Sequence, residues 1–154
     1  MPLNNKTYSI LCGIAEHLKD HINEMVEAWN ESHPSEPLPT ISETDIGFRD
    51  VVSGLRSYPA LCIAESGRDS SQAYFTTFDL NICIAVRNDD IDELQRIGYG
   101  LADCLEDVFR EDCRLGDLVT DSSMGHPETG VVSGVFIFAV PANIVVDLGS
   151  FGGM

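Results

Sequence analysis

The sequence predicts an α+β domain, with a mainly antiparallel or mixed sheet of four to five strands and an N-terminal helix and a second helix packed on it. Three observations lead there. Apolar residues recur with a helical period near the N-terminus, a stretch from Tyr74 to Arg87 alternates with period two, and a second helical stripe follows it directly, before strand-like segments close the chain. The 154 residues suit a single domain, 1–154, with flexible ends at about 1–6 and 148–154. A chain of this length buries roughly 70% of the surface its unfolded form exposes.

In "SILCGIAEHLKDHINEMVEAW", Ile10, Leu11, Ile14, Leu18, Ile22, Met25 and Trp29 project onto one stripe at ~100° per residue. This spacing predicts a helix from about Thr7 to Asn30, with Glu16, Lys19, Asp20, Asn23 and Glu27 on its solvent side. Pro34, Pro37 and Pro39 in "ESHPSEPLPT" cannot continue it. The next stretch, "ISETDIGFRDVVSGLRS", fits either a short strand around Phe48 to Val52 or a helical turn. After Pro59, "ALCIAE" reads as a strand and "SGRDSSQ" as a polar loop or hairpin connection.

The strand "YFTTFDLNICIAVR" then places Tyr74, Phe78, Leu80, Ile82, Ile84 and Val86 on one parity, and Asp79, Asn81 and Arg87 on the other. One face packs on a core and the other is partly wet. At ~3.3 Å per residue the strand spans about 45 Å, more than a small domain needs for its own core, so part of it is expected to project as a hairpin arm. The switch to helix has a local cause. Asp90 is placed to cap the next helix with Glu93 three residues on, a capping-box arrangement. Asp89, Asp90, Asp92 and Glu93 also suit the positive end of the helix dipole.

The second helix carries Ile91, Leu94, Ile97, Leu101, Leu105, Val108 and Phe109 on one stripe, with Asp92, Arg96, Asp103, Asp107 and Arg110 opposite. Gly98 borders the stripe and is expected to let the helix sit close on the sheet. Tyr99 projects on the polar side, where an aromatic ring hints at a contact surface. Beyond it, "LGDLVTD" and "GVVSGVFIFAVPANIVV" read as two or three more strands, with "SSMGHPETG" as the tip of a hairpin.

Charge narrows the function classes. With 25 Asp+Glu against 9 Lys+Arg, the net charge of −16 repels free nucleic acid and anionic membranes and attracts basic protein surfaces or cations. The five cysteines are an odd number without a CxxC pair, which argues against a disulfide framework or zinc ribbon. Cys62 and Cys83 sit in apolar runs and read as small buried hydrophobes. Reduced thiols, no secretory signal and no segment approaching ~20 apolar residues predict a cytoplasmic protein outside the membrane.

The one constellation with metal-like spacing is "HLKDH", where His17 and His21 stand one helical turn apart with Asp20 between them. Such a pair can grip zinc, and the acid could serve as base in a zinc-dependent hydrolase. No third ligand follows on a partner helix, so the reading favoured is a structural pair at the edge of the apolar stripe. His33, His126, Ser122 and Ser123 assemble no triad, and "GYG" at Gly98 to Gly100 falls inside a helix rather than in a phosphate loop. The sequence therefore predicts no catalytic residue, no metal ligand and no cofactor.

In "SILCGIAEHLKDHINEMVEAW", "YPALCIAE", "YFTTFDLNICIAVRNDDIDELQRIGYGLADCLEDVF" and "GVFIFAVPANIVV", taken in this order, the chain resembles the tail terminator proteins of long-tailed phages and prophages. These also serve as tail-to-head joining, or tail completion, proteins. The Pro-rich stretch from Ser32 to Thr40 departs from the pattern. The resemblance implies a structural subunit of a ring, commonly of six, that caps the tail tube and meets the head connector, with no catalysis. Its partners would be copies of itself, the tail tube protein and the head connector protein. It would be cytoplasmic during assembly and then part of the virion tail.

On this reading Tyr74, Phe78 and Arg87 of the strand, Arg68 and Asp69 of the flanking loop, and Tyr99 are the expected subunit contacts. Asp69, Asp79, Asp89, Asp90, Asp117 and Asp121 are candidates to face a channel through which DNA slides without being bound. The alternative is an acidic adaptor domain that binds a basic protein partner.

Overall fold

A 27-residue helix and a 13-residue strand have nearly the same length, about 41 Å at 1.5 Å per residue and about 43 Å at 3.3 Å per residue. This match sets the dimensions of the molecule. A computed structural model describes residues 6–47, 54–71 and 75–147. Its elements are α1 (Lys6–Ser32), β1 (Glu43–Ile46), β2 (Ala60–Asp69), β3 (Phe75–Arg87), α2 (Ile91–Glu111), β4 (Asp121–Met124), β5 (Glu128–Val132) and β6 (Val135–Asp147). Six strands form one mixed sheet in the order β1-β2-β3-β6-β4, with β5 also on β6. Among the described residues only the β1–β2 pair is parallel. The expected α+β class, with both helices against the sheet, is what the chain adopts.

The long strand does not project as an arm. All thirteen residues of β3 pair with β6, from Phe75 opposite Asp147 to Arg87 opposite Val135, and β2 covers its other edge out to Asp69 opposite Thr77. Its length is matched instead by α1, whose first turn reaches the far end of the sheet, where Arg68 Nη1 donates to Thr7 Oγ1 at 3.1 Å. Tyr74 and the short strand expected around Phe48 to Val52 lie outside the described residues. So do the expected flexible ends, except that Lys6 already belongs to α1.

One core joins the helices to one sheet face. Ile10, Ile14, Leu18, Ile22 and Val26 of α1 and Leu94, Leu101 and Leu105 of α2 meet Phe78, Leu80, Ile82 and Ile84 of β3 and Phe136, Phe138 and Val140 of β6. The buried stripe of α1 runs on through Val26, leaving Met25 at the margin and Trp29 41% exposed. On the opposite face a smaller cluster of Ala60, Cys62 and Cys83 packs against Leu55 and Ile137. Glu43 accepts from the Arg56 and Ser57 amides at 3.0 Å.

Gly98 acts as expected, since a Cβ there would overlap the Phe136 ring. The capping box forms only by half. Asp90 Oδ1 accepts from the amides of Asp92 at 2.9 Å and Glu93 at 3.4 Å. Glu93 does not reach back, because Arg96 holds its carboxylate at 2.8 Å. Asn88 Oδ1 accepts from the Asp90 amide in its place.

Two expectations near the C-terminus are corrected. "LGDLVTD" forms turns and joins a strand only at Asp121, because Leu115, Gly116 and Asp117 all have left-handed φ of 49°, 67° and 66°. Asp112 stabilises that loop by accepting from the amides of Arg114 and Gly116. "SSMGHPETG" is not a hairpin tip. It belongs to an interrupted edge, β4 and β5 end to end along β6, with the Gly125 amide donating to the Pro141 carbonyl at 2.7 Å between them. The turn lies at Ser133 and Gly134, with φ of 51° and 78°, the signs a two-residue type I′ turn requires.

Candidate functional site

The sheet face away from the helices is the first surface with a distinct chemistry. Cross-strand partners share a face, so the register puts Asp79 with Asn143 and Ser123, Asn81 with Pro141, and Asp69 with Thr77, Val145 and Asp121. Asp69, Asp79, Asn81, Asp121, Ser123 and Asn143 are all exposed. Arg87 lies on the same face, but eight residues and about 26 Å beyond Asp79 along β3, with its guanidinium 5.1 Å from the Tyr58 ring centroid. One end of this face is therefore acidic and wet, and the other is closed by Leu55 over Cys62 and Cys83.

The six candidate channel acids sort themselves. Asp69, Asp79 and Asp121 share the bare face. Asp89 and Asp90 precede α2, where Asp90 is committed to capping. Asp117 lies in the loop after α2, 3.6 Å from Arg114. Hydrogen bonds from the Ser71 side chain and amide hold the Asp69 carboxyl below its ordinary value, so it stays ionised.

The expected subunit contacts do not form one patch. Phe78 is 1% exposed and lies in the chain's own core, with Arg68 5.2 Å from its ring centroid. Arg68 also pairs with Glu65 at 2.8 Å. These two share the helix-side parity, Asp69 has the opposite parity, and Arg87 stands at the far end. Tyr99 is on the helix layer, 53% exposed, with its ring edge against Phe136.

His17 and His21 lie against each other, ring centroids 4.2 Å apart. His21 approaches Glu24 at 3.8 Å. His17 turns toward Gly116, and its Nε2 is buried with no hydrogen-bond partner. Burial lowers the His17 pKa, the neighbouring His21 adds to this, and Asp112, Asp20 and Glu24 oppose it. Among the described residues no group of three or more His, Cys, Asp or Glu is placed to hold a metal ion, and no helix is long and apolar enough to cross a membrane.

A second surface went unread in the sequence, a groove between α1 and α2 of ≈ 650 Å³. Its floor is Met25, Ala28, Leu38, Gly100 and Cys104, and Trp29 and Tyr99 stand at its sides. Ala28 and Gly100 are the small residues of its lining. Gly100 also admits Leu38 of the Pro-rich segment so closely that an added Cβ would sit 2.9 Å from Leu38 Cδ1. Tyr99 was the signal the sequence carried, as an aromatic ring on the polar side of α2, whereas Trp29 projected onto the apolar stripe of α1 and only the structure leaves it 41% exposed.

Compared with known proteins, the chain matches no protein-family model and no curated sequence.

Proposed function

We propose that the chain is a structural subunit of a phage or prophage tail, forming an oligomeric ring at the end of the tail tube and joining it to the head connector. The observation that carries this reading is the two-sided sheet, helix-covered on one face and bare, polar and acidic at one end of the other. In a ring whose bare faces turn inward, Asp69, Asp79 and Asp121 repel the phosphates of a duplex, so DNA slides where a basic lining would hold it.

Ring closure needs two unlike surfaces on each subunit, since a head-to-tail contact joins one to the other. The sheet offers two unlike edges, the four-residue parallel β1 and the interrupted β4–β5 edge, whose β5 residues are all exposed. Contacts through these edges would suit the ring better than contacts through β3, which has neighbours on both sides.

Electron microscopy of the protein mixed with its cognate tail tube, with light scattering at high concentration, is expected to reveal a closed ring. A monomer in both settings refutes the proposal. Titration of labelled duplex at about 0.15 M salt is expected to give no complex, whereas a salt-sensitive complex of micromolar affinity or tighter refutes the conduit. Replacing Asp69, Asp79 and Asp121 together by Lys is expected to create DNA retention.

A further inference from the structure

We propose that the groove between α1 and α2 docks a basic, amphipathic helical segment of a partner protein, with an apolar face on the groove floor and Lys or Arg side chains on its rim. This inference does not rest on the ring, because the groove lies on the helix layer and the bare acidic face on the other side of the sheet.

The shape comes first. The α2 side of the groove is one continuous stripe, Arg96, Tyr99, Gly100, Asp103, Cys104, Asp107 and Glu111, spaced at three and four residues as one helix face requires. From Arg96 to Glu111 it extends about 22 Å, the length of a helix of about 15 residues. The small side chains of Ala28 and Gly100 keep the floor low, and Met25 supplies a flexible apolar surface suited to varied side chains. Trp29 is stacked on His33 at 3.6 Å and donates its indole N–H to the Glu36 carbonyl at 3.1 Å, which fixes the ring, and it and Tyr99 remain 41% and 53% exposed. A helix lying in such a cleft buries anchors at i, i+3, i+4 and i+7.

Charge selects the occupant. Four acids line the groove, Glu36, Asp103, Asp107 and Glu111, against a single base, Arg96. That base is already answered within the chain. It pairs with Glu93 at 2.8 Å and donates to the carbonyls of Glu36 at 3.1 Å and Pro37 at 3.0 Å. Of the four acids Asp107 is likewise answered, by Arg110, and Glu36, Asp103 and Glu111 still leave the rim net negative beside apolar surface, which disfavours a nucleic acid. A partner with an apolar stripe flanked by cations meets both requirements and gains association rate from the protein's field.

Trp29 is the chain's single tryptophan, so its fluorescence reports on the groove directly. The probe is a synthetic 18-residue amphipathic peptide of Leu and Lys, with a Leu and Glu peptide of the same pattern as control. The expected result is a saturable change in Trp29 emission with the Lys peptide and none with the Glu peptide.

The pair Asp103→Asn and Glu111→Gln is expected to weaken binding roughly tenfold. The pair Asp79→Asn and Asp121→Asn, on the bare sheet face, is expected to leave it within about twofold. Circular dichroism of each variant establishes that the fold is kept. No emission change with the Lys peptide up to millimolar concentration overturns the proposal. Equal weakening by the two variant pairs also overturns it, because attraction is then due to net charge and not to the groove.

Discussion

Asn30 and Leu38 hold each other through two hydrogen bonds, Leu38 N–H donating to Asn30 Oδ1 at 2.7 Å and Asn30 Nδ2 donating to the Leu38 carbonyl at 2.9 Å. Asn23 and Ile41 repeat the arrangement at 2.7 Å and 3.2 Å. The two asparagines are two helical turns apart, about 10.5 Å, and three extended residues cover about 10 Å. Each side-chain amide therefore serves as a strand partner for the returning Pro-rich segment. That docking carries Leu38 onto Gly100 and so shapes the groove.

Asn30→Ala leaves a partly buried amide and carbonyl without partners and is expected to cost about 1–3 kcal/mol. Asn30→Asp keeps the acceptor and loses the donor, so its loss in urea unfolding should differ in origin, leaving only the Leu38 carbonyl unpaired. Equal stability of Asn30→Ala and the wild type would show that the clamp contributes nothing.

Gly98→Ala improves helix propensity by about 1 kcal/mol but forces a methyl group into the buried Phe136 ring, and overpacking of this kind costs about 1–3 kcal/mol. The expected outcome is a net loss of stability. Adding Phe136→Leu should recover part of it, giving a less than additive double variant in a denaturant cycle.

The thiols should separate by reactivity. Burial pushes Cys62 up to about 12 and Cys83 and Cys104 up to about 11, which suppresses the reactive thiolate. Cys113 is exposed. An aromatic disulfide reagent at mildly alkaline pH is expected to modify Cys113 first, and Cys62 and Cys83 only as the chain unfolds. Comparable rates at Cys62 and Cys113 would contradict the burial.

Acid should weaken the fold through His17, whose pKa is lowered below its ordinary value of 6.5. Above that value both folded and unfolded chains hold it neutral and stability is full. As pH falls through it, the unfolded chain takes up a proton that the folded chain resists, so stability declines. His17→Gln is expected to reduce the decline between about pH 7.5 and about pH 5, with little change in metal content, and His21→Gln to reduce it less. Parallel losses in the wild type and His17→Gln would exclude this origin.

The sequence by itself determined both helices, the long strand that ends at Arg87, the α+β class, the Asp90 cap and the close approach at Gly98. Each follows from local causes, namely the periodicity of apolar residues, a capping side chain or a missing Cβ. Asn23 looked like a solvent residue because its partner, Ile41, lies eighteen residues away, and helical period says nothing about which chain will return alongside. The turn at Ser133 and Gly134 was signalled by the Ser-Gly pair between two apolar runs, and the loop around Leu115 resembled a strand because composition does not reveal the sign of φ.

Only the tertiary structure decided which surfaces exist. Pairing with β6 turned the supposed arm into a central strand, and register gathered Asp69, Asp79 and Asp121 onto one face while sending Asp90 to a helix end. The antiparallel meeting of α1 and α2 left Trp29 and Tyr99 beside an acidic groove. Period fixes the face on which a side chain lies within its own element. Only packing between elements, which depends on contacts far apart in sequence, fixes which faces remain for a partner.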